Sequence, residues 1–424
     1  PAQGAETPEA ADPSIPDTGV PAPAVEIVEA PGSLSGGELL SRTAVIVVSY
    51  DSAALLERTL ARVAEDSPEA RIIVVDNYST PAAREELVAL ASSRGWEAVL
   101  PETNTGFGGG MNLGAARARE LGADLLLLLN PDAVIARADL IRLAARAHAD
   151  RLALVAPVLK DSSGRIVSDG IVVCLADGSM RSRRSPRPIP PGGTQPWLSG
   201  ACLALSADLF EAAGGLDARY FLYWEDVDFS ARVLAAGGSL ALVRDAVAVH
   251  DEGGTHAEDD QSDRAKSDIY YYYNVRNRLL YAGLHLDRAT QRRWVATAGR
   301  AAREIVLRGG RRQLLSTRRP LLTAAQATRD GVRLLRAARR GELPDVVVTD
   351  VRMPPTGTDD GLRAAIDLRR TYSGLPVVVL SAYVAGPYVQ DLLEETESPT
   401  SPAGPGAPSA SSGGAVGYLL KERV

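Results

Sequence analysis

The sequence predicts an α/β fold in which helices cover a mostly parallel β-sheet. Short β-branched or leucine-rich runs alternate with helical segments from Thr43 to Leu129, and such alternation is typical of parallel sheets. Open parallel sheets bind ligands at the carboxyl ends of their strands, so we expect a site where these strands end. The predicted strands of this part are 44–49, 71–75, 97–100 and 124–129, and the predicted helices are 53–64, 82–93 and 108–121.

After Asp150 the pattern changes to one that combines antiparallel strands with helices. A Pro/Gly-rich loop covers 186–194, and a further section begins near Leu343. The predicted strands are 152–157, 166–174, 197–205, 239–249, 345–349 and 377–380, and the predicted helices are 227–236, 267–284, 288–307 and 361–370.

These patterns divide the 424 residues into four parts, a length that suits two or three domains. The N-terminal part and an insert near the C-terminal end are rich in small and polar residues, which do not form a packed core. We predict a disordered Pro/Ala-rich tail (1–42), a main domain (43–310), an Arg-rich helical linker (311–342) and a smaller domain (343–424) with a low-complexity insert (397–414).

Composition argues against several classes of protein. The net charge of −7 does not favour a nucleic-acid binder. Cys174 and Cys202 belong to no CxxC or Cys/His cluster, so we expect neither a zinc site nor a disulfide framework, and two lone thiols suit a reducing compartment. The sequence starts without a basic segment followed by an apolar one, and runs such as 125–129 are too short to span a membrane. We therefore predict a cytoplasmic protein.

An arginine-rich stretch follows the second half of the main domain. Residues 288–340 contain fifteen Arg but only two acids, Glu304 and Asp330. On a predicted amphipathic helix, Trp294 and Val295 are flanked by Arg292, Arg293, Arg300 and Arg303. One interpretation is a solvated helix face, and the other is peripheral contact with anionic lipid at the inner face of the membrane.

Two acidic side chains directly follow predicted strands. Asp132 comes just after a strand of five leucines, and a carboxylate in this position suits Mg²⁺ or Mn²⁺. A helix N-cap is the alternative role for Asp132. Asp76 ends the second strand, where it can accept a hydrogen bond from a base or a ribose hydroxyl, although Asp-Asn is also typical of turns.

A glycine-rich segment and a lone histidine are further candidates. Residues 104–114 open a helix, and their glycines allow phosphate to approach the helix N-terminus closely. Their spacing is not the dinucleotide-binding fingerprint. His250 ends the strand at 239–249, where an imidazole can complete a metal site or have a structural role.

Three acids, Glu225, Asp226 and Asp228, precede the predicted helix at 227–236 or lie in its first turn. Acids in this position interact favourably with the helix dipole, which is a sufficient structural reason for them. The aromatic and apolar residues at 220–224 lie directly before them. Partial desolvation by these residues would raise a carboxylate pKa and make the group a better base.

Taken in order, these motifs resemble the family 2 glycosyltransferases, especially their rhamnosyltransferase-like branch. The resemblance extends from Ala44 to about Gly310. It rests on VIVVSYDS, VVDNYST, NTGFGGGMNLG, LLLNPDA, LSGACLAL, GGLDARYFLYWEDVDFSARV, VAVH and YYYNVRNRLL. It implies a GT-A fold with antiparallel strands on the acceptor side. It also implies an inverting, Mg²⁺- or Mn²⁺-assisted transfer from a nucleotide-diphosphate sugar, such as dTDP-rhamnose or a UDP-sugar, to a glycan or polyprenyl-linked acceptor.

The resemblance also implies roles for individual residues. Asp226 matches the proposed catalytic base, with Glu225 beside it, and Asp132 and His250 match the metal ligands. The donor is expected at Tyr50, Asp76, Asn104, Gly106, Asn112, Asn130 and Arg276, with Arg278 as a second phosphate ligand, and the acceptor at Trp197, Ser199 and Gly200. Two departures are that Asn130 replaces the first acid of the metal motif and that Ser79-Thr80-Pro81 lacks the second acid of the nucleoside motif.

The section after Leu343 resembles the second half of a response-regulator receiver domain, which has a flavodoxin-like fold. The matching motifs are PDVVVTDVRMPP, LPVVVLSAYV and GYLLKERV. The resemblance implies that Asp350 accepts phosphate and that Ser381 and Lys421 contact it. No segment before Leu343 resembles the strand that provides the acidic Mg²⁺ ligands in that family. We therefore predict a vestigial domain that does not accept phosphate efficiently.

Two other functions are compatible with parts of the sequence. One is a two-component-type signalling protein whose glycosyltransferase-like part is an inactive scaffold. The other is a nucleotide-sugar pyrophosphorylase, which would require a Gly-rich Lys/Arg loop after the first strand. Residues 49–52 form no such loop. The front part keeps all its candidate catalytic acids, which favours the glycosyltransferase.

Overall fold

The computed structural model describes residues 34–182, 188–250, 266–340, 347–351, 360–371, 377–381 and 416–420. The chain divides into two compact units, residues 1–335 and 336–424. The predicted insert at 397–414 and Lys421 lie outside the described residues, as do residues 1–33 of the predicted tail.

Strands and helices alternate along the first unit, as the sequence predicts. The described strands are β1 (Thr43–Ser49), β2 (Arg71–Asp76), β3 (Glu97–Val99), β4 (Leu125–Leu129), β5 (Ala133–Ile135), β6 (Ala153–Lys160), β7 (Ile166–Ser168), β8 (Ile171–Cys174), β9 (Met180–Ser182), β10 (Thr194–Trp197), β11 (Cys202–Ser206), β12 (Ser239–His250), β13 (Val347–Asp350), β14 (Val377–Ser381) and β15 (Val416–Leu420). The described helices are α1 (Gly36–Ser41), α2 (Ala53–Arg58), α3 (Leu60–Asp66), α4 (Pro81–Arg94), α5 (Gly106–Glu120), α6 (Arg137–Ala149), α7 (Ala207–Ala212), α8 (Glu225–Ala235), α9 (Asp268–His285), α10 (Arg288–Ala296), α11 (Ala298–Leu307), α12 (Gln313–Ser316), α13 (Arg319–Arg340) and α14 (Asp360–Thr371).

A nine-stranded sheet forms the centre of the first unit. Strands β3, β2, β1 and β4 lie side by side in parallel, and β11 pairs antiparallel with β4. Beyond β11 lie β6, β12 and β5, with β12 parallel to β6 and antiparallel to β5. Strand β7 pairs antiparallel with β6. This arrangement confirms the predicted mixed α/β fold with a mostly parallel sheet.

Helices cover both faces of this sheet, which explains the continuous apolar runs in its strands. Every residue of β1 and β4 is buried. On one face Leu56 of α2 and Leu143 of α6 belong to the core, and on the other Met111 of α5 and Phe229 of α8 do so. A strand that is buried on both faces has no polar alternation, as is usual in parallel sheets.

Several predicted elements differ in the structure. Part of the predicted disordered tail is helix α1, which begins with a capping box between Ser35 and Glu38 and buries two leucines in the core. The predicted helix 53–64 is two helices that meet at Thr59. The predicted strand 197–205 is β10 and β11, which belong to different sheets. In the break between them, Gly200 donates its backbone N–H to the carboxylate of Asp226.

The helices after β12 form a separate layer that packs partly through aromatic side chains. The predicted helix 288–307 is two helices, α10 and α11, joined at Thr297. Trp294 is fully buried, and its indole N–H donates a hydrogen bond to the carbonyl oxygen of Leu175 at 2.9 Å. Trp294 therefore packs inside the protein, and peripheral contact of this Arg-rich helix with anionic lipid stays a prediction. None of the helices in the described ranges combines the length and apolar character needed to cross a bilayer.

The second unit contains a three-stranded parallel sheet in the order β13, β14, β15. Helix α14 packs on it through Ala365, which lies in a small core with Val377 and Val379. Asp350 and Ser381 end neighbouring parallel strands, and the resemblance to a receiver domain stays a prediction. In the described part of this unit, no further strand pairs with β13.

Candidate active site

Three polar side chains meet where β4 and β12 end. The Nε2 atom of His250 lies 3.2 Å from Oδ1 of Asp132 and 3.3 Å from Nδ2 of Asn130. Strand β12 pairs with β5, which begins one residue after Asp132, and His250 lies opposite Ala133 in that register. The sheet therefore brings together two residues that are more than a hundred positions apart. Asp132 and His250 are each about one-tenth exposed, so a small ion can reach them.

The carboxylates of Glu225 and Asp226 open helix α8. Asp226 accepts hydrogen bonds from its neighbour Val227 and from the backbone N–H of Gly200, at 2.8 and 2.9 Å. Burial raises the pKa of Asp226 above its ordinary value, although these N–H groups oppose the shift. Burial, reinforced by the charge of Asp226, also raises the pKa of Glu225. Oε2 of Glu225 has no hydrogen-bond partner among the described residues.

Two adjacent residues connect the Asp226 region with the Asp132 region. Gly200 donates its N–H to Asp226, and the carbonyl of Ala201 accepts a hydrogen bond of 2.9 Å from the backbone N–H of Asn130. A Cβ atom on Gly200 would lie 3.2 Å from that of Asp226. The irregular segment between β10 and β11 therefore lies between the candidate base and the candidate metal ligands.

At the neighbouring end of β2, Asp76 forms an ion pair with Arg84 of α4. Asp76 is almost fully buried, and its Oδ2 lies 2.5 Å from the guanidinium Nε. The same guanidinium lies over the ring of Tyr78, 4.7 Å from its centroid. Tyr50, which follows β1, is 56% exposed and is therefore accessible to a base or ribose. The sequence reasoning missed Arg84, although its spacing of eight residues from Asp76 across a turn was visible.

The glycine-rich start of α5 contacts the loop before α8. Gly106 has φ of +75°, and a Cβ atom there would lie 2.5 Å from the carbonyl oxygen of Phe221. Asn104 accepts a hydrogen bond from the N–H of Gly106 at 2.9 Å. The side chain of Asn112 bonds through both its oxygen and its nitrogen to the backbone of Leu216, at 2.8 Å each. Asn112 thus holds a loop in position, and its predicted contact with the donor diphosphate remains a prediction.

The loop from Tyr220 to Trp224 has an unusual backbone that Asn277 supports. Phe221, Tyr223 and Trp224 all have positive φ values, which residues other than glycine rarely adopt. The buried amide nitrogen of Asn277 lies 2.7–2.9 Å from the carbonyl oxygens of Tyr220, Leu222 and Tyr223. The motif YYYNVRNRLL contains Asn277, but the sequence alone did not indicate this role.

The two predicted arginine ligands differ. Arg276 donates to Oδ1 of Asn277 and to the carbonyl of Arg219, so part of its hydrogen-bonding capacity already supports the same loop. Arg278 is 2% exposed and donates to the carbonyls of Asp177 and Trp294. Burial lowers the pKa of Arg278 to about 10. Its side chain lines a cavity on the side of α9 that faces α11, as described below.

Asp228 belongs to a structural network and not to the candidate site. Its carboxylate contacts Arg232 at 2.7 Å, His285 at 2.6 Å and the hydroxyl of Tyr220 at 3.1 Å. Burial alone would raise the pKa of Asp228, but the bond from His285 and the charge of Arg232 hold it below its ordinary value. This difference separates Asp228 from Glu225 and Asp226. Of the predicted acceptor residues, Trp197 is buried and Ser199 is partly exposed beside Gly200.

The residues present fit a hard divalent cation that is shared with a substrate. No group of three or more His, Cys, Asp or Glu side chains able to hold a metal occurs within the described ranges. Asp132 and His250 provide one oxygen and one nitrogen ligand at converging positions. Magnesium and manganese sites of this kind are completed by phosphate oxygens and water. Two protein ligands are therefore sufficient where a diphosphate is bound.

Comparisons with known proteins identify a class of enzyme to which the chain is similar. Residues 44–185 match the model of the family described as Glycosyl transferase family 2. Over 248 residues the chain is 25% identical to the low-salt glycan biosynthesis hexosyltransferase Agl10 of Haloferax volcanii, covering 57% of this chain and 76% of that protein. Over 249 residues it is 27% identical to the N-acetylglucosaminyl-diphospho-decaprenol L-rhamnosyltransferase of Mycobacterium tuberculosis, covering 51% and 78%.

A solved structure, GalNAc-T7 with UDP, GalNAc and Mn²⁺, is also similar. It shares 16% identity, covers 64% of this chain and 53% of that chain, and has a TM-score of 0.46. We base no argument on a likeness at this level. The family match and the curated relatives define the chain as a glycosyltransferase. The segment that matches the family 2 model lies in the first unit, and the chain is similar to a rhamnosyltransferase and a hexosyltransferase.

Proposed function

We propose that the chain transfers a sugar, with inversion, from a nucleotide-diphosphate sugar to a hydroxyl group of a glycan or polyprenyl-linked acceptor. Rhamnose or a related hexose is the proposed sugar, because the relatives named above are a hexosyltransferase and a rhamnosyltransferase. The second relative is named for an acceptor with a diphosphate-linked polyprenyl chain. We extend that acceptor class to this chain as part of the proposal.

The observation that supports this function is the path from Asp226 through Gly200 and Ala201 to Asn130 and Asp132. Two backbone hydrogen bonds connect these groups. A half-buried carboxylate with a raised pKa thus lies across one short segment from an oxygen and nitrogen pair suited to a metal. Transfer of a sugar requires a base and a metal, because the acceptor must lose a proton and the charge of the leaving diphosphate must be neutralised.

In the proposed reaction the Asp226 carboxylate takes the proton of the acceptor hydroxyl. The acceptor oxygen then forms a bond to the anomeric carbon, and the bond from that carbon to the diphosphate oxygen breaks. A divalent cation, when bound, neutralises the charge that develops on the leaving diphosphate. Asp132 and His250 would hold this cation, and the backbone at Gly106 would lie beside the diphosphate at the start of α5.

A donor panel tests the proposal directly. Purified protein is incubated with dTDP-rhamnose and with several UDP-sugars, in Mg²⁺, in Mn²⁺ and in EDTA, with a diphosphate-linked and a neutral sugar acceptor. We expect transfer from one donor, and its loss in EDTA. Asp226→Asn should lower kcat by about 10²–10⁴-fold, the usual contribution of a general base, while donor binding is retained.

Asp208→Asn is the matched control, because Asp208 is a highly exposed acid of α7 that pairs with Arg151. This variant should keep wild-type activity. If the Asp226→Asn variant transfers sugar at the wild-type rate, Asp226 is not the base. If EDTA does not reduce transfer by the wild-type protein, the proposed metal is not required.

A further inference from the structure

A cavity of about 470 Å³ lies beside the strained loop, on the side of helices α9 and α11. Its walls come from the turn between β8 and β9, from α9 and from α11 with the residues that follow it. A volume of this size lies within the range of cavities that bind small ligands. The comparisons assign no residue of this cavity a role.

The cavity is strongly basic. Five arginines line it, Arg181, Arg278, Arg300, Arg308 and Arg311, against two carboxylates, Asp177 and Glu304. The carboxylates neutralise little of this charge. Arg300 lies 3.9 Å from Asp177, and no ion pair of Arg308 or Arg311 occurs within the described ranges. Like charges at this density repel one another, so the cavity is favourable for an anion.

The deepest of these arginines is buried with unused hydrogen-bonding capacity. Arg278 is 2% exposed and stacks over Trp294, with its guanidinium carbon 4.5 Å from the ring centroid. Nε of Arg278 and Nε of Arg181 have no partner among the described residues. Buried donors normally have partners, so two such groups at one cavity favour the binding of an anion there.

The position of the cavity connects it with the acceptor side of the candidate site. Trp224 lines the cavity and directly precedes Glu225 and Asp226. The donor diphosphate is proposed to lie beside Asp132 and Gly106, which do not line the cavity, whereas Arg278, which the resemblance implies as a phosphate ligand, does line it. An anion in the cavity would therefore belong to the molecule that approaches the base, which is the acceptor.

We propose that this cavity binds the diphosphate of a lipid-linked sugar acceptor. The proposal rests on the proposed function and makes it more specific, because it requires that the acceptor sugar be joined to its lipid through a diphosphate. The arginines would neutralise the diphosphate and hold it, while the attached sugar hydroxyl reaches Asp226. Guanidinium groups suit this task because they bind phosphate oxygens in pairs.

The test compares two acceptors and two double variants. One acceptor is a sugar joined through diphosphate to a short alkyl chain, and the other is the same sugar as a neutral alkyl glycoside. Arg308→Gln with Arg311→Gln should raise KM for the diphosphate acceptor by about tenfold, given the usual strength of charged hydrogen bonds. KM for the neutral acceptor and for the donor should not change.

The control is Arg303→Gln with Arg312→Gln, which removes the same charge from exposed positions that do not line the cavity. This variant should keep the wild-type KM for both acceptors. If KM rises equally for both acceptors in the cavity variant, or rises for neither, the cavity proposal is wrong. Transfer by the wild-type protein would still support the proposed function.

A titration without turnover separates this proposal from the proposed function. Binding of the diphosphate acceptor is measured by calorimetry with excess UDP and dTDP present to occupy a donor site. We expect the cavity variant to bind it about tenfold more weakly than the control variant does, even if no donor in the panel is used. If the cavity variant instead loses binding only to vesicles that contain phosphatidylglycerol, a lipid headgroup occupies the cavity and the proposal is wrong.

Discussion

At the residue scale, the acids near the start of α8 show how environment separates side chains of one type. Asp228 is surrounded by His285, Arg232 and Tyr220, and these partners hold its pKa low. Glu225 is buried and Asp226 is half-buried beside it, and partial desolvation raises the pKa values of both. Only the second environment suits a base that must take up a proton near neutral pH.

This difference predicts the direction of the pH dependence. A carboxylate acts as a base only when deprotonated, so kcat/KM should fall as pH decreases through the raised pKa of Asp226. The midpoint should lie above about 4, the ordinary value of an aspartate. A rate profile from pH 4 to 9 measures it, and a midpoint below that value would indicate a base with an environment like that of Asp228.

Gly106 allows close contact with the carbonyl of Phe221, and an alanine substitution tests how much this contact matters for stability. Gly106→Ala combines a strained φ of +75° with a Cβ atom 2.5 Å from the carbonyl of Phe221. Gly122→Ala has a similar φ of +81° but no atom within 4 Å of the new Cβ. We expect Gly122→Ala to lose about 1 kcal/mol of stability and Gly106→Ala clearly more. Denaturant unfolding measures both, and equal losses would show that the contact is unimportant.

At the element scale, α9 supports the loop that precedes the candidate base. The side-chain amide of Asn277 contacts three carbonyls of this loop, and Phe221 stacks on Tyr273 with ring centroids 5.2 Å apart. A backbone with three positive φ values remains in place only where surrounding contacts compensate for its strain. The helix is therefore part of the active-site architecture although it follows the sheet in the chain.

Loss of the Asn277 amide should disturb both stability and transfer. Asn277→Ala leaves buried carbonyls without their donor, so we expect a loss of about 1–3 kcal/mol in the free energy of unfolding. Because the loop leads directly into Glu225 and Asp226, kcat should fall as well. Ile269→Ala is the control on the same helix, since Ile269 is 54% exposed and does not line the cavity. Similar effects of both variants on kcat would argue against a role of the loop.

At the scale of the whole molecule, the two units differ in how strongly their sequences and structures support a function. The first contains a large sheet and a site with connected polar groups. The second has a three-stranded parallel sheet, and its resemblance to a receiver domain stays a prediction. Asp350 and Ser381 lie at the carboxyl ends of neighbouring strands. The acidic Mg²⁺ ligands of a receiver have no counterpart in the described part of this unit.

This comparison predicts that the second unit is dispensable for transfer. A chain that ends at Arg340 keeps helix α13 complete and removes the second sheet. We expect its kcat and the KM for its donor to equal those of the full chain. A large loss of activity in a truncated protein that still unfolds cooperatively would contradict this view.

The second unit should also fail to accept phosphate. With acetyl phosphate and Mg²⁺ we expect no stoichiometric labelling, because no acidic metal ligands of the receiver type occur beside Asp350 in the part of the second unit that the structure describes. Labelling of the full chain that disappears in Asp350→Asn would show an active receiver. Such a result would favour the alternative of a two-component-type signalling protein.

The sequence by itself determined the main strands and helices of the first unit and the residues that are candidates for its chemistry. Strand and helix periodicity is local, so the mostly parallel sheet and the positions of Asp132, Asp226 and His250 followed from it. The sequence also indicated the glycosyltransferase, through motifs that the comparisons bear out.

Only the tertiary structure decided which of these residues meet and what each already contacts. It placed Asp132 beside His250, connected Asn130 with Asp226 through the segment at Gly200, and assigned Asn277 and Asp228 structural contacts. It also buried Trp294 and formed the arginine-lined cavity. The physical reason is that hydrogen bonds, burial and charge depend on distances in space, which neighbouring positions along the chain do not specify.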